Sequence, residues 1–369
     1  MSPVRVPFLD LQAATAELRP QLDQAWARVL DTGWYIGGGE VAAFEQEFAA
    51  SVGAPFAVGV GNGLDAIAFA LQALGVVAGD EVIVPAHTFI ATWLAVRMLG
   101  AIPVAAEPEA GRFNISARTI EPLINARTRA VIAVHLYGEP VEIEPVAELC
   151  RLHQLALIED AAQAHGALRN SRAVGTLGDA AAFSLYPTKN LGALGDAGVL
   201  TVASESLRDQ LLRLRNYGSL HKYEHDIEGR NSRLDSLQAA LLRVKLPVLA
   251  QWNQRRRDIA ALYQAQLRGI DGLSLPQSLP GNEPAWHLYA VRTPKREALA
   301  RFLAARGIET MRHYPKPVYR TPPFAACGPS QVTESDRIAD EQLSLPIGPH
   351  LSAAQAGEVI VAVHDFFKR

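Results

Sequence analysis

The sequence predicts an α/β protein with a large, doubly wound, mostly parallel sheet and a smaller C-terminal α/β domain. Three observations carry that expectation. Short apolar runs alternate with helix-like segments from Phe56 to Asp160. The runs are continuous and do not alternate with polar residues, which suits strands buried on both faces. The chain is also long and apolar: 369 residues with 49% hydrophobic content can bury one large core and a second, smaller one.

Taken in order, a helical arm is expected from about Asp10 to Asp31. It runs into Thr32-Gly33-Trp34-Tyr35-Ile36-Gly37-Gly38-Gly39, a glycine-rich loop suited to shaping part of a site. Strands are expected at Phe56–Val60, Glu81–Pro85, Ile102–Ala106, Arg129–Val134 and Leu155–Glu159. Helices are expected between them at Asp65–Leu74, Ile90–Leu99, Ser116–Asn125 and Ile143–His153. Further strands fall near Ala181–Tyr186 and Gly198–Val202. An amphipathic stretch runs from Leu234 to about Leu267, and Pro247 should kink or split it. Pro276 to Pro284 is rich in Pro, Gly and Asn and reads as a connection. Trp286–Arg292, Arg296–Arg306 and Ala353–Phe367 outline the small domain. The expected division is 1–250 for the arm and large domain and 251–369 for the small one.

Charged residues make up 20% of the chain and the net charge is −3, with no bias towards nucleic acid or anionic membrane. Apolar runs fall far short of a membrane span, and Met1 to Pro7 holds no signal-peptide core. A soluble, cytoplasmic protein is expected. The two cysteines, Cys150 and Cys327, form no disulfide framework and have no metal-ligand spacing, so no metal is expected. Cys150 falls in a helical pattern and reads as a core thiol.

Open α/β sheets bind ligands outside the carboxyl ends of their strands. Gly61-Asn62-Gly63-Leu64, His87-Thr88-Phe89, His135-Leu136-Tyr137-Gly138 and Glu159-Asp160-Ala161-Ala162-Gln163-Ala164-His165 all follow strand candidates. Together they point to one cleft. Gly61-Asn62-Gly63 opens a helix, where free N–H groups and the helix dipole favour an anion. An ordinary strand-to-helix turn reads the same way. Asp160 sits at a strand end in apolar surroundings, where a carboxylate serves a ligand or caps a helix. Lys189 follows a strand-like run and precedes Gly192-Ala193-Leu194-Gly195-Asp196-Ala197-Gly198. Most lysines are solvated surface charges. Apolar, turn-forming flanks instead suit a lysine that loses its proton and acts as nucleophile or base.

The pattern Glu159-Asp160-Ala161-Ala162-Gln163, then Phe183-Ser184, then Lys189 resembles the DegT/DnrJ/EryC1/StrS sugar aminotransferases. The likeness begins at Pro7-Phe8-Leu9-Asp10-Leu11 and continues through Gly79-Asp80-Glu81-Val82-Ile83-Val84-Pro85. It includes Asn231-Ser232-Arg233-Leu234-Asp235, Gln238-Ala239-Ala240 and His313-Tyr314-Pro315. The order and spacing of so many motifs over almost the whole chain make it specific. The resemblance implies the aspartate-aminotransferase-like fold of pyridoxal-phosphate (PLP) enzymes, fold type I, working as a homodimer with shared active sites. Asn216-Tyr217-Gly218-Ser219 and the Asn231 motif look most like the enzymes that act on dTDP-3-keto-6-deoxyhexoses.

The roles it implies are these. Lys189 is the Schiff-base lysine, and Asp160 faces the pyridine nitrogen and keeps it protonated. Gln163 bonds the ring's phenolic oxygen and Phe89 stacks on its face. Ser184 and the backbone at Gly63 and Leu64 hold the phosphate, joined by Asn231 from the partner subunit. L-glutamate is the implied amino donor, pyridoxamine phosphate the intermediate form, and a nucleotide-linked keto sugar the acceptor. His221 and Lys222 would meet the diphosphate, Arg233 the glutamate carboxylate, and Tyr186, His313 and Tyr314 the sugar or nucleotide.

The sequence departs from the pattern at Thr188, where relatives usually carry Gly, and at His87, where they usually carry Asn. Glu139-Pro140 stands where Gln is common. Alternatives are a UDP-linked 3-keto or 4-keto substrate, a C3 dehydratase, and a regulatory protein without turnover. Lys189 argues against the dehydratase, in which histidine replaces the lysine.

Overall fold

The computed structural model describes residues 4–221, 223–329, 331 and 333–368. Helices α1 (Leu11–Glu17) and α2 (Arg19–Thr32) form the expected arm, broken at Leu18 just before Pro20. Proline is tolerated in a first helical turn, where its missing N–H has no partner to lose. An unanticipated helix, α3 (Gly39–Val52), follows. It buries Val41, Phe44, Phe48 and Val52, a helical spacing already visible in the sequence.

The predicted alternation then appears: β1 (Phe56–Val60), α4 (Gly63–Ala73), β2 (Glu81–Pro85), α5 (Ile90–Met98), β3 (Ile102–Ala106), α6 (Ala117–Ile120), β4 (Thr128–Val134), α7 (Ile143–His153) and β5 (Ala156–Asp160). The expected helix over Ser116–Asn125 is cut short at Ile120 and continues as a single tighter turn through Pro122. The small hairpin β6 (Leu168–Arg169) and β7 (Arg172–Ala173) precedes β8 (Ala180–Ser184) and β9 (Gly198–Val202). Next come α8 (Glu205–Leu214), which was not expected, α9 (Ser236–Lys245) and α10 (Leu249–Leu267). The last two are split by the turn that holds Pro247. The chain ends with β10 (Asn282–Glu283), β11 (Tyr289–Arg292), α11 (Arg296–Ala304), α12 (Glu334–Glu341), β12 (Gln342–Leu345) and α13 (Ala353–Phe367).

The large sheet has seven strands in the order β1-β9-β8-β5-β4-β2-β3. Pairings among β3, β2, β4, β5 and β8 are parallel, while β9 runs antiparallel to both β1 and β8. The sheet is therefore mostly parallel, as expected, with one reversed strand. Reversal needs no crossover helix, and the β8–β9 connection is the loop that carries Lys189. The carboxyl ends of β1, β2, β4, β5 and β8 share one edge of the sheet.

One hydrophobic cluster packs α4, α5 and α8 against the sheet, and another packs α3 and α9. A separate cluster joins Val6 to residues of α10, β11, α11, β12 and α13, so the N-terminal segment packs with the C-terminal elements. Cys150 is buried, and burial pushes its thiol up to about 12, which suits the core reading. Among the described residues no helix is long and apolar enough to cross a membrane, and no His, Cys, Asp and Glu cluster is placed to hold a metal.

Candidate active site

A cavity of about 520 Å³ opens at the shared strand edge, in the place expected for an open α/β sheet. Gly63, Leu64, Phe89, Asp160, Gln163, Ser184, Tyr186, Lys189, His313 and Tyr314 all line it, and so does Thr188. Thr88 and Asp196, from stretches already quoted, line it too, as do Thr92 and His287, which were not singled out in the sequence.

Helix α4 begins at one end of the cavity. Asn62 caps it, its Oδ1 accepting from the Asp65 N–H at 2.8 Å. The N–H groups of Gly63 and Leu64, in the first turn, have no intrahelical acceptor and stay available to an anion. The Ser184 hydroxyl stands beside them at the end of β8. The approach is so close that a Cβ on Gly63 would lie 2.7 Å from Ser184 Cβ, which only glycine allows.

Asp160, the last residue of β5, is buried at 5% exposure. Thr92 Oγ1 donates to its Oδ2 at 2.8 Å, and the Ala162 N–H to its Oδ1 at 3.2 Å. Burial raises its pKa, while Thr92, Ala162 and the nearby Lys189 oppose the rise. A buried carboxylate with these few donors is under-satisfied and suited to a cationic ligand. Its neighbour Glu159 is a contrast. It accepts from His135 Nε2 and the N–H groups of Gly175, Leu177 and Gly178, and holds the sheet rather than the cavity.

Lys189 sits in the β8–β9 loop, whose shape is set from several sides. The Lys189 N–H bonds the Tyr186 carbonyl at 2.8 Å, and the Ala193 N–H bonds that of Leu185 at 2.7 Å. Lys245 Nζ, buried, reaches the Gly192 carbonyl at 2.6 Å. Burial pulls the Lys189 amine down to about 8, against the opposing charge of Asp160. Roughly a tenth is thus unprotonated at pH 7, far more than for an ordinary lysine, which favours its use as a nucleophile or base.

Gln163 is wired in one orientation. The Tyr137 N–H donates to its Oε1 at 2.6 Å, so its Nε2 is the donor to the Tyr314 hydroxyl at 3.0 Å. Phe89 packs 5.5 Å from the Tyr314 ring and keeps 52% of its surface exposed at the cavity. His87 stands behind this wall. Its Nε2 lies 2.8 Å from the Tyr137 hydroxyl, and burial lowers its pKa to about 4. Glu139 lies away from the cavity and accepts from the Leu279 N–H at 3.0 Å.

Three other expected residues do not line the cavity of the single chain. Asn231 is exposed and bridges to Asn216. Arg233 donates to Asn216 Oδ1 at 3.1 Å and lies over the Tyr217 ring. His221 is exposed in the same loop region. Lys222 lies outside the described residues.

Residues 17–364 match the DegT/DnrJ/EryC1/StrS aminotransferase family. The chain is 48% identical to the dTDP-3-amino-3,4,6-trideoxy-alpha-D-glucose transaminase of Streptomyces venezuelae, over 99% of this chain and 97% of that protein. It is 44% identical to the dTDP-3-amino-3,6-dideoxy-alpha-D-galactopyranose transaminase of Aneurinibacillus thermoaerophilus, over 98% and 99%. The crystal structure of S. venezuelae DesV in complex with a ketimine intermediate superposes with a TM-score of 0.98 at 48% identity, covering 100% of both chains.

Proposed function

The chain belongs to the DegT/DnrJ/EryC1/StrS aminotransferase family, and on that premise we propose that it moves an amino group from L-glutamate to the C3 ketone of a dTDP-linked 3-keto-6-deoxyhexose. The product is a dTDP-3-amino-3,6-dideoxyhexose. The observation that carries this reading is the meeting of Lys189, Asp160 and the α4 N-terminus on one cavity. The dTDP-linked sugar amines named for the two relatives support the choice of acceptor.

The residues present fit PLP. The N–H groups of Gly63 and Leu64, with the Ser184 hydroxyl, form a cradle for a phosphate that a Cβ would fill. Asp160 supplies a buried anion for a protonated ring nitrogen. Gln163 Nε2 has a second proton for an oxygen on the ring, and exposed Phe89 offers a flat apolar face. When bound, PLP supplies a carbonyl that takes the amino group and a ring that accepts electrons.

This chain's own residues do the rest. Lys189 would hold the cofactor through its amine and would be freed when the donor amine takes its place. Freed as an amine, it takes the proton from the donor's Cα and later returns one to the sugar's C3. The donor is oxidised to a 2-oxo acid and the ketone is reduced to an amine, so no outside oxidant is needed. Tyr186, His313 and Tyr314 line the same cavity and are assigned to the sugar or nucleotide, and His221 and Lys222 to the diphosphate.

The working unit in this reading is a homodimer, with Arg233 assigned to the glutamate carboxylate. Asn231 stands off the cavity of its own chain, as a residue lent to a partner's site would. Trp34, Tyr35 and Ile36, consecutive in the chain, are exposed at 63%, 48% and 46%, and a second subunit would cover such large apolar side chains. The division near residue 250 belongs to the same reading, with the cluster around β11 and β12 as the core of the smaller part.

One experiment tests the central assignment. Borohydride reduction of the yellow holoenzyme should fix the cofactor on the peptide that carries Lys189. A labelled peptide lacking Lys189 would overturn it. Turnover assays with dTDP-3-keto-6-deoxyhexoses of both C4 configurations, and UDP-sugar controls, then read the acceptor.

A further inference from the structure

Ser232 follows Asn231 directly and is buried at 4% exposure. Its hydroxyl joins two parts of the phosphate cradle of its own chain. The Gly61 N–H, just past β1, donates to Ser232 Oγ at 3.1 Å. The hydroxyl keeps its own proton to give, and Asp65 Oδ2 lies 2.7 Å away. An ionised carboxylate only accepts, so Ser232 is the donor. Asn62 Nδ2 donates to the same Oδ2 at 2.9 Å. Asp65 is the third residue of α4 and Asn62 its cap. Ser232 thus ties the approach to α4 to its first turn, the turn that presents the N–H groups of Gly63 and Leu64.

The backbone around Asn231 is anchored on both sides. The Arg230 N–H bonds the Leu214 carbonyl at 2.7 Å, and the Tyr217 N–H bonds the Arg230 carbonyl at 2.9 Å. The Ser232 N–H bonds the Arg215 carbonyl at 3.0 Å. Arg215 Nη1 in turn donates to the Gly59 carbonyl in β1 at 2.6 Å. Between these anchors Asn231 is exposed, and among the described residues its side-chain amide takes no partner from its own chain. The backbone bonds fix the segment against the end of α8, and the Ser232 hydroxyl fixes it against α4.

We infer that Ser232 is a positioning residue for two sites at once: through Gly61 and Asp65 it sets the phosphate cradle of its own chain, and through its peptide link to Asn231 it sets the residue lent to the partner's cradle. The inference rests on the reading of Asn231 as lent across the dimer. Removing the hydroxyl leaves the Gly61 N–H without its acceptor and takes one of two side-chain donors from Asp65 Oδ2. Both the first turn of α4 and the neighbouring Asn231 lose a fixed point.

The test uses mixed dimers isolated through two different affinity tags. One subunit carries K189A, so the visible absorbance of PLP attached to a lysine reports the other subunit's site. That site draws its Asn231 from the K189A subunit. Titrating the absorbance reads PLP affinity. S232A in the Lys189-bearing subunit should weaken PLP about fivefold by loosening its own cradle. S232A in the K189A subunit should weaken it by a similar factor by misplacing the lent Asn231. Fivefold is about the worth of one ordinary hydrogen bond. A serine that served only local structure would move the first arm and leave the second unchanged. That result would overturn the inference, as would movement of the second arm alone or of neither. N231A in the K189A subunit tests the underlying reading. Unchanged affinity there would show that Asn231 is not lent, and both readings would fall. A loss there, with none from S232A in the same subunit, would overturn the coupling alone.

Discussion

Thr92 Oγ1 donates to Asp160 Oδ2 at 2.8 Å, and both side chains are buried. The bond favours the carboxylate form that burial disfavours. Replacing Thr92 with Val should raise the Asp160 pKa further and slow amino transfer about tenfold, the worth of one charge-assisted hydrogen bond. Asp160→Asn should nearly abolish transfer while PLP still attaches. Single-turnover conversion of PLP to pyridoxamine phosphate by glutamate measures both. Wild-type rates in the Asp160 variant would remove it from the mechanism.

Gly63→Ala should weaken cofactor retention more than it weakens the fold. The added carbon would lie 2.7 Å from Ser184 Cβ and 2.9 Å from Ser184 Cα, so α4 or β8 must shift. Overpacking of this kind costs roughly 1–3 kcal/mol. The shift also spoils the aim of the N–H groups at the cradle. Equilibrium dialysis should show PLP affinity down at least tenfold. Unchanged affinity would mean that the cradle does not hold the phosphate.

Lys245 makes a prediction in pH. Burial pulls it down to about 8 from its usual 10.5. Below pH 8 it is charged in both folded and unfolded chains, and the cost of burying that charge is felt in full. Between pH 8 and 10.5 the unfolded chain binds more protons, so wild-type stability at this site rises with pH. Lys245→Met leaves the Gly192 carbonyl without its donor, an offset of about 1 kcal/mol that does not change with pH. Relative to wild type, the variant should therefore lose roughly 3 kcal/mol between pH 7 and 10.5. Urea unfolding at several pH values reads the difference, and a flat profile would contradict the buried charge.

Shared sites can be tested by complementation. Lys189→Ala and Asn231→Ala proteins should each be nearly inactive. In a mixed dimer, the site that keeps its own Lys189 is served by the other subunit's intact Asn231. Mixing under exchange conditions should restore about a quarter of wild-type activity, since roughly half the dimers are mixed and each has one whole site. No recovery, with exchange verified by mass, would count against a lent Asn231.

The alternation from β1 to β5 was legible because strands buried on both faces need unbroken apolar runs, and such runs need no knowledge of their partners. Helix α3 was legible in principle through Val41, Phe44, Phe48 and Val52, but it starts inside the Gly37-Gly38-Gly39 run with no side-chain cap to mark its beginning. The reversal of β9 was not legible, because strand direction depends on which neighbours a strand meets across the sheet. Thr92 and His287 were missed for a related reason. A threonine inside a helix and a histidine before a strand carry no local mark until the fold sets them beside Asp160 and Asn190.

By itself the sequence determined the fold class, because continuous apolar runs are a local signal, and its likeness to a known family singled out Asp160, Gln163, Ser184 and Lys189, which fall on one cavity. The tertiary structure alone decided their electrical state and wiring: Lys189 pulled to about 8 by burial, and Gln163 oriented by the Tyr137 N–H so that its Nε2 donates to the Tyr314 hydroxyl. Those properties arise from desolvation and hydrogen-bond partners up to 151 residues distant in the chain. No local pattern encodes them, because they exist only when distant segments exclude water from one another.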